Sequence, residues 1–109
     1  MKHHQSINDE NPLDKIILST GNINKPYIVR DIVFVTERVE ADLFNPEINP
    51  NNLFVNVNRQ LKEKAFEYGA NAVINCEFNY QQEVIDSRPF LQIFAYGTVV
   101  QLVHSTIGS

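Results

Sequence analysis

The chain has 109 residues, 43% of them apolar, a single cysteine and a formal net charge of −4. At this length one small domain buries about two-thirds of its unfolded surface and folds without disulfides or metal. Nine Lys and Arg residues, scattered among thirteen Asp and Glu, exclude a generic nucleic-acid binder, whose phosphate contacts demand clustered cations.

Met1 to Leu13 is polar and lacks the apolar stretch of a signal peptide, and no run approaches the roughly 18 apolar residues of a membrane span. The expectation is a soluble, cytoplasmic protein with no membrane or nucleic-acid partner: a flexible tail at 1–13, one α+β domain at 14–104 and a C-terminal tail at 105–109. Cys76 has no partner for an intrachain disulfide, which agrees with a reducing compartment.

Lys15–Ser19 reads as a short first strand, followed by a breaker-rich turn over Thr20–Pro26 and a long β-branched strand over Tyr27–Arg38. Arg30 and Asp31 are charges inside that strand. Burying either unpaired would cost several kcal/mol, so the strand reads as an edge blunted by charge, or one whose charges pair across a subunit contact. Glu40–Asn52 carries Pro46 and Pro50 and suits an exposed connection, in which Leu43 and Phe44 need a covering surface. Asn49 can cap a helix with Pro50 at its first position, although a start near Asn52 is equally compatible.

Leu53, Val57, Leu61, Ala65 and Tyr68 recur at helical spacing and put one apolar stripe on a helix, which Gly69 ends. Beyond it the period becomes two. Ala72, Ile74, Cys76, Phe78 and Tyr80 are expected on one face of a strand, with Asn75, Glu77 and Asn79 on the other. Strands at Asn71–Tyr80 and Phe90–Val103 then form an antiparallel hairpin, joined by Gln81–Pro89 and closing around Asp86–Pro89. The last strand is apolar on both faces, with Leu91, Ile93 and Val99 on one and Phe94, Tyr96 and Leu102 on the other, which marks a central strand. One helix does not cover both faces of a four-stranded sheet, and the shortfall favours a subunit interface or a barrel-like closure.

Three stretches carry a resemblance. Ile17-Leu18-Ser19-Thr20-Gly21-Asn22, Gly69-Ala70-Asn71-Ala72-Val73 after the amphipathic helix, and Gly97-Thr98-Val99-Val100 resemble, in order and rough spacing, the YbjQ-like family of small bacterial and archaeal proteins, whose label is heavy-metal binding and whose members are largely uncharacterised. The resemblance implies a ring-shaped homopentamer of α+β subunits, so that the partner is a further copy of the chain. The chain departs from the family's pattern at Asp31-Ile32-Val33-Phe34-Val35, where glycines usually flank a short apolar stretch. It departs again at Asn45–Asn52, which replaces a glycine-rich, arginine-containing approach to the helix.

Cys76 is the one soft metal ligand and the one thiol. Between Ile74 and Phe78 it reads most simply as a small buried apolar residue, since reactive thiols sit beside positive charge and its nearest charged neighbour is Glu77. The chain has no CxxC, HxxxH or HExxH, so one subunit offers no complete metal set. Copies of Cys76, His104 or a carboxylate gathered on a ring axis are the remaining route to a divalent or soft metal ion. His3 and His4 read as solvated tail residues. Thr20, Asn22, Arg30 and Thr98 are candidates for holding a small anion or polar ligand, against the alternative that they belong to a turn, an edge and a close-packed strand. His104-Ser105 makes no triad. The expectation is a non-enzymatic oligomer that binds a metal ion or small ligand at a subunit interface or central channel; the alternative is a protein-interaction module.

Overall fold

The computed structural model describes residues 11–42 and 44–103. A single-turn 3₁₀ helix at Pro12–Lys15 leads into β1 (Ile17–Leu18) and β2 (Tyr27–Val39). Helices α1 (Pro50–Leu53) and α2 (Val55–Glu67) follow, then β3 (Ala72–Ile85) and β4 (Arg88–Leu102). The four strands form one sheet in the order β1-β3-β4-β2. The α+β expectation holds, with a mixed sheet: β3–β4 and β2–β4 are antiparallel, but β1 runs parallel to β3 through Ile17–Ala72 and Leu18–Val73. Within the segment read as tail, Asn11 caps the 3₁₀ helix and Leu13 packs against the core.

The helix starts where Asn49 and Pro50 suggest. The Asn49 carboxamide oxygen accepts from the Asn51 N–H at 3.0 Å, and Pro50 holds the first helical position. Its other end is a Schellman motif: the Gly69 N–H donates to the Phe66 carbonyl and the Ala70 N–H to that of Ala65, with Gly69 at φ 68°. A Cβ on Gly69 would meet nothing within 4 Å. Gly69→Ala is therefore expected to cost about 1–2 kcal/mol through backbone strain alone. Chemical denaturation checks this, and a Gly69→Asn variant should lose less, because Asn tolerates the left-handed region.

Val57, Leu61 and Ala65 are fully buried, and they pack on Val33 and Val35 of β2, Val73 and Cys76 of β3, and Leu91, Ile93, Ala95 and Val99 of β4. A fully buried Leu or Val side chain contributes about 1.5–3 kcal/mol, so this stripe anchors the helix. Tyr68, at the end of the stripe, is more exposed and donates its hydroxyl to the Asp31 carboxylate.

The expected alternation along β3 breaks at Asn75. This residue sits at φ 52°, the β3–β4 register shifts between Ile74 and Glu77, and the bulge re-aims everything after it. Ala72 and Ile74 face away from the helix, in a small second cluster with Val100, Ile23, Tyr27 and Leu102, whereas Cys76 and Phe78 face the helix. The bulge is tied down by the segment after β1: the Asn75 N–H donates to the Gly21 carbonyl at 3.0 Å and the Cys76 N–H to that of Ser19 at 2.9 Å.

The hairpin is longer than the sequence suggests. Gln81–Ile85 is paired strand, and the chain reverses at Asp86-Ser87, both with positive φ, the geometry of a two-residue type I′ turn. Next to the hairpin turn Arg88 grips Glu40 through two bonds of 2.8 and 2.5 Å, and the Gln82 amide donates to the carbonyls of Ala41 and Phe90.

β4 is the central strand, as its apolar faces require, and β2 is an edge. A second bulge between Val29 and Asp31 accommodates Arg30, whose guanidinium donates to Gln101 at 3.3 Å. On the side away from the helix, the Ser19–Pro26 segment covers only one end of the sheet. The remainder is open: Val29, Ile32, Phe34 and Phe94 are exposed, Phe34 to 68%, and the Phe34 and Tyr96 rings lie 5.7 Å apart. In the connection, Phe44 is 89% exposed, and Leu43 lies outside the described residues.

Candidate functional site

Where the Ser19–Gly21 segment crosses the β3 bulge, it borders an open cavity of about 210 Å³ beside α2, lined by Leu18, Ser19, Thr20, Asn58, Cys76 and Phe78. The fold brings these residues together for separable reasons. β1 delivers Leu18 and Ser19 by its parallel pairing to β3, the bulge turns Cys76 and Phe78 toward the helix, and Asn58 follows Val57 at the border of the buried stripe. The Ser19 hydroxyl oxygen accepts from the Gly21 N–H at 3.1 Å, which fixes the turn.

Cys76 forms the floor. It is 3% exposed, and its Sγ lies 3.5 Å from the Val73 carbonyl oxygen. Burial pushes the thiol above its ordinary pKa, with the Ser19 backbone contact opposing in part, so the group is a neutral thiol at physiological pH. That disfavours nucleophilic chemistry and suits apolar packing.

Of the residues that the sequence nominates, Cys76 and Thr20 meet in this cavity. Asn22 serves the loop instead, where its carboxamide oxygen accepts from the Ile23 N–H at 2.8 Å and the Tyr27 hydroxyl at 2.9 Å. Arg30 lies at the β2 bulge against Gln101, and Thr98 lies on the sheet face away from the helix, in register with Ile74 and Ile32. His104, like His3 and His4, lies outside the described residues. Among the described residues no three His, Cys, Asp or Glu side chains gather as a metal site. Ile74, expected beside Cys76, faces the opposite side because of the bulge. Asn58 and Ser19 are the cavity residues that sequence reasoning missed. The available signal for Asn58 was its position directly after a stripe residue, which places a polar group at the edge of the buried face.

The cavity belongs to a known fold. Residues 55–103, spanning α2, β3 and β4, match the model of the family described as "Putative heavy-metal-binding", the YbjQ-like proteins. Over that stretch the chain resembles the YbjQ-like family. Among solved structures, a protein of unknown function from the DUF74 family of Pediococcus pentosaceus is 24% identical to it, with a TM-score of 0.64 over 81% of this chain and 98% of the other, a likeness of fold. No curated protein matches the sequence. The YbjQ-like match covers the helix, its Gly69 cap and the Gly97 strand, while β1 and β2 lie before it. Among the described residues, no helix is long and apolar enough to cross a membrane.

Proposed function

We propose that this YbjQ-like protein is a non-enzymatic subunit that assembles with copies of itself and binds a metal ion or small ligand where the copies meet. The observation that carries this reading is the uncovered side of the sheet. β2 is a 13-residue edge strand, and beside it Val29, Ile32, Phe34 and Phe94 form an open apolar patch. A long apolar edge left unpaired invites association, and soluble proteins cover such edges or blunt them. β3 beyond Val73 also has an outer edge that β1 does not reach. Two different edges on one subunit favour a head-to-tail contact, which closes into a ring when the rotation per subunit permits.

The family label supports a metal, and since no three ligating side chains gather among the described residues of one subunit, such a site would draw its ligands from several copies. The test is native mass spectrometry of untagged protein purified without chelator, with metal analysis on the same sample. A pentamer carrying stoichiometric metal or small molecule is the expected result. An empty ring would keep the assembly and remove the ligand, and a monomer at micromolar concentration would overturn the proposal.

A further inference from the structure

Asn58 lines two cavities. Besides the Cys76 cavity, it borders a groove of about 280 Å³ between α2 and the 3₁₀ helix, lined by Asn11, Leu13, Asp14, Val55, Arg59 and Lys62. Val55, Asn58 and Lys62 are spaced three and four apart, so they run as one stripe along the helix, next to the buried stripe.

The chemistry changes along this stripe. The inner end sets Leu18, the neutral Cys76 thiol and Phe78, an apolar floor and wall, beside the polar Ser19 and the exposed Thr20. In the middle, the half-buried Asn58 carboxamide is hydrogen-bonded by no described residue; the bond that Asn58 makes is its backbone N–H to the Phe54 carbonyl at 2.9 Å. The outer end holds the cations Arg59 and Lys62 against the single carboxylate Asp14. Arg59 is drawn 3.9 Å toward Glu63 on its own helix, while Lys62 has no partner among the described residues.

We propose that these two cavities, which share Asn58, together form a binding site, within a single subunit, for a small aliphatic monocarboxylate. The short hydrocarbon tail lies against Leu18, Cys76 and Phe78. The carboxylate reaches Lys62, and Asn58 hydrogen-bonds the carboxylate from the inner side. An apolar pocket with a few convergent polar groups at one end is the usual form of a small-molecule site, and the cation at its mouth selects charge. This site is independent of assembly, because every residue in it comes from one chain.

The test is a transverse-relaxation-optimised ¹H–¹⁵N titration of the full chain with sodium hexanoate, hexan-1-ol and hexylammonium chloride. Hexanoate is expected to shift the backbone amides of Ser19, Thr20, Asn58 and Cys76 saturably, hexan-1-ol to bind more weakly and hexylammonium to leave them unmoved. Lys62→Gln should raise the hexanoate dissociation constant about tenfold, the usual size of a lost hydrogen bond to a charged group, with Asn58→Leu moving it in the same direction. The spectra of the free variants report that the fold is intact, and their native mass reports assembly separately. Equal binding of hexylammonium, shifts confined to other residues, no binding, or an affinity unchanged by Lys62→Gln would each overturn the assignment.

Discussion

Gly97→Ala is expected to destabilise the protein by about 1–3 kcal/mol, the range for forcing an extra methyl into a packed interior. A Cβ on Gly97 would stand 2.6 Å from Val73 Cγ1, 3.1 Å from Cys76 Sγ and 3.2 Å from the Ile74 carbonyl oxygen. Val73, whose Cγ1 is the atom met first, is fully buried in the core against α2, so its side chain has little room to yield, while Cys76 borders the cavity on its far side. The Ile74 oxygen belongs to the backbone at the bulge, which the Ser19–Gly21 segment clamps. Val73→Ala removes the atom met first and carries a cavity cost of its own. The double variant should therefore lose less than the sum of the two single changes, by about 0.5–3 kcal/mol for residues in contact. Urea unfolding of the four proteins measures this coupling. Additivity would mean that the clash with Val73 is not the reason for the glycine.

Phe34→Glu should dissociate the proposed assembly and leave the subunit folded. In one subunit Phe34 is 68% exposed and its main neighbour is the Tyr96 ring, so the substitution belongs with surface changes worth within about ±0.5 kcal/mol. Against a second subunit the same carboxylate would be buried without a partner, at a cost of several kcal/mol, and each 1.4 kcal/mol is a factor of ten in association. Light scattering on the eluting protein gives the mass and circular dichroism the fold. Phe66→Glu, on the exposed side of α2, is the control expected to leave the mass unchanged. If Phe34→Glu elutes at the wild-type mass, the open face is not the contact, and the Proposed function loses its main support.

The helix was legible because three independent signals agreed there: a stripe at helical spacing, Asn49 with Pro50 at the start and Gly69 at the end. The edge character of β2 was legible from Arg30 and Asp31, and the central position of β4 from its two apolar faces. The hairpin was underestimated because Gln81, Gln82 and Glu83 carry the polar composition of a loop. Their pairing comes from β4, and from Gln82 reaching two carbonyls that no local rule anticipates. The parallel β1 could not be read either. Two residues are too few to show a period, and their direction is fixed by contacts more than 50 residues away. The candidate site was half legible. Cys76 and Thr20 stood out as a rare thiol and a motif residue, whereas Asn58 joins them only once the helix has docked.

The bulge at Asn75 acts as a phase shifter. One strand serves two separate interiors because a single extra residue changes which parity points inward, so Ala72 and Ile74 supply one cluster and Cys76 and Phe78 the other. Sequence length at this point is thereby coupled to the identity of a whole surface. Flattening the bulge with Asn75 kept in the strand would restore the plain alternation that the sequence displays, turn the thiol out of the helix-facing interior and carry the rest of the hairpin arm over with it, whereas deleting Asn75 would leave Cys76 opposite Ile74, as it is now. Side chains elsewhere on the arm are free to drift one at a time, but the left-handed backbone at Asn75 is not.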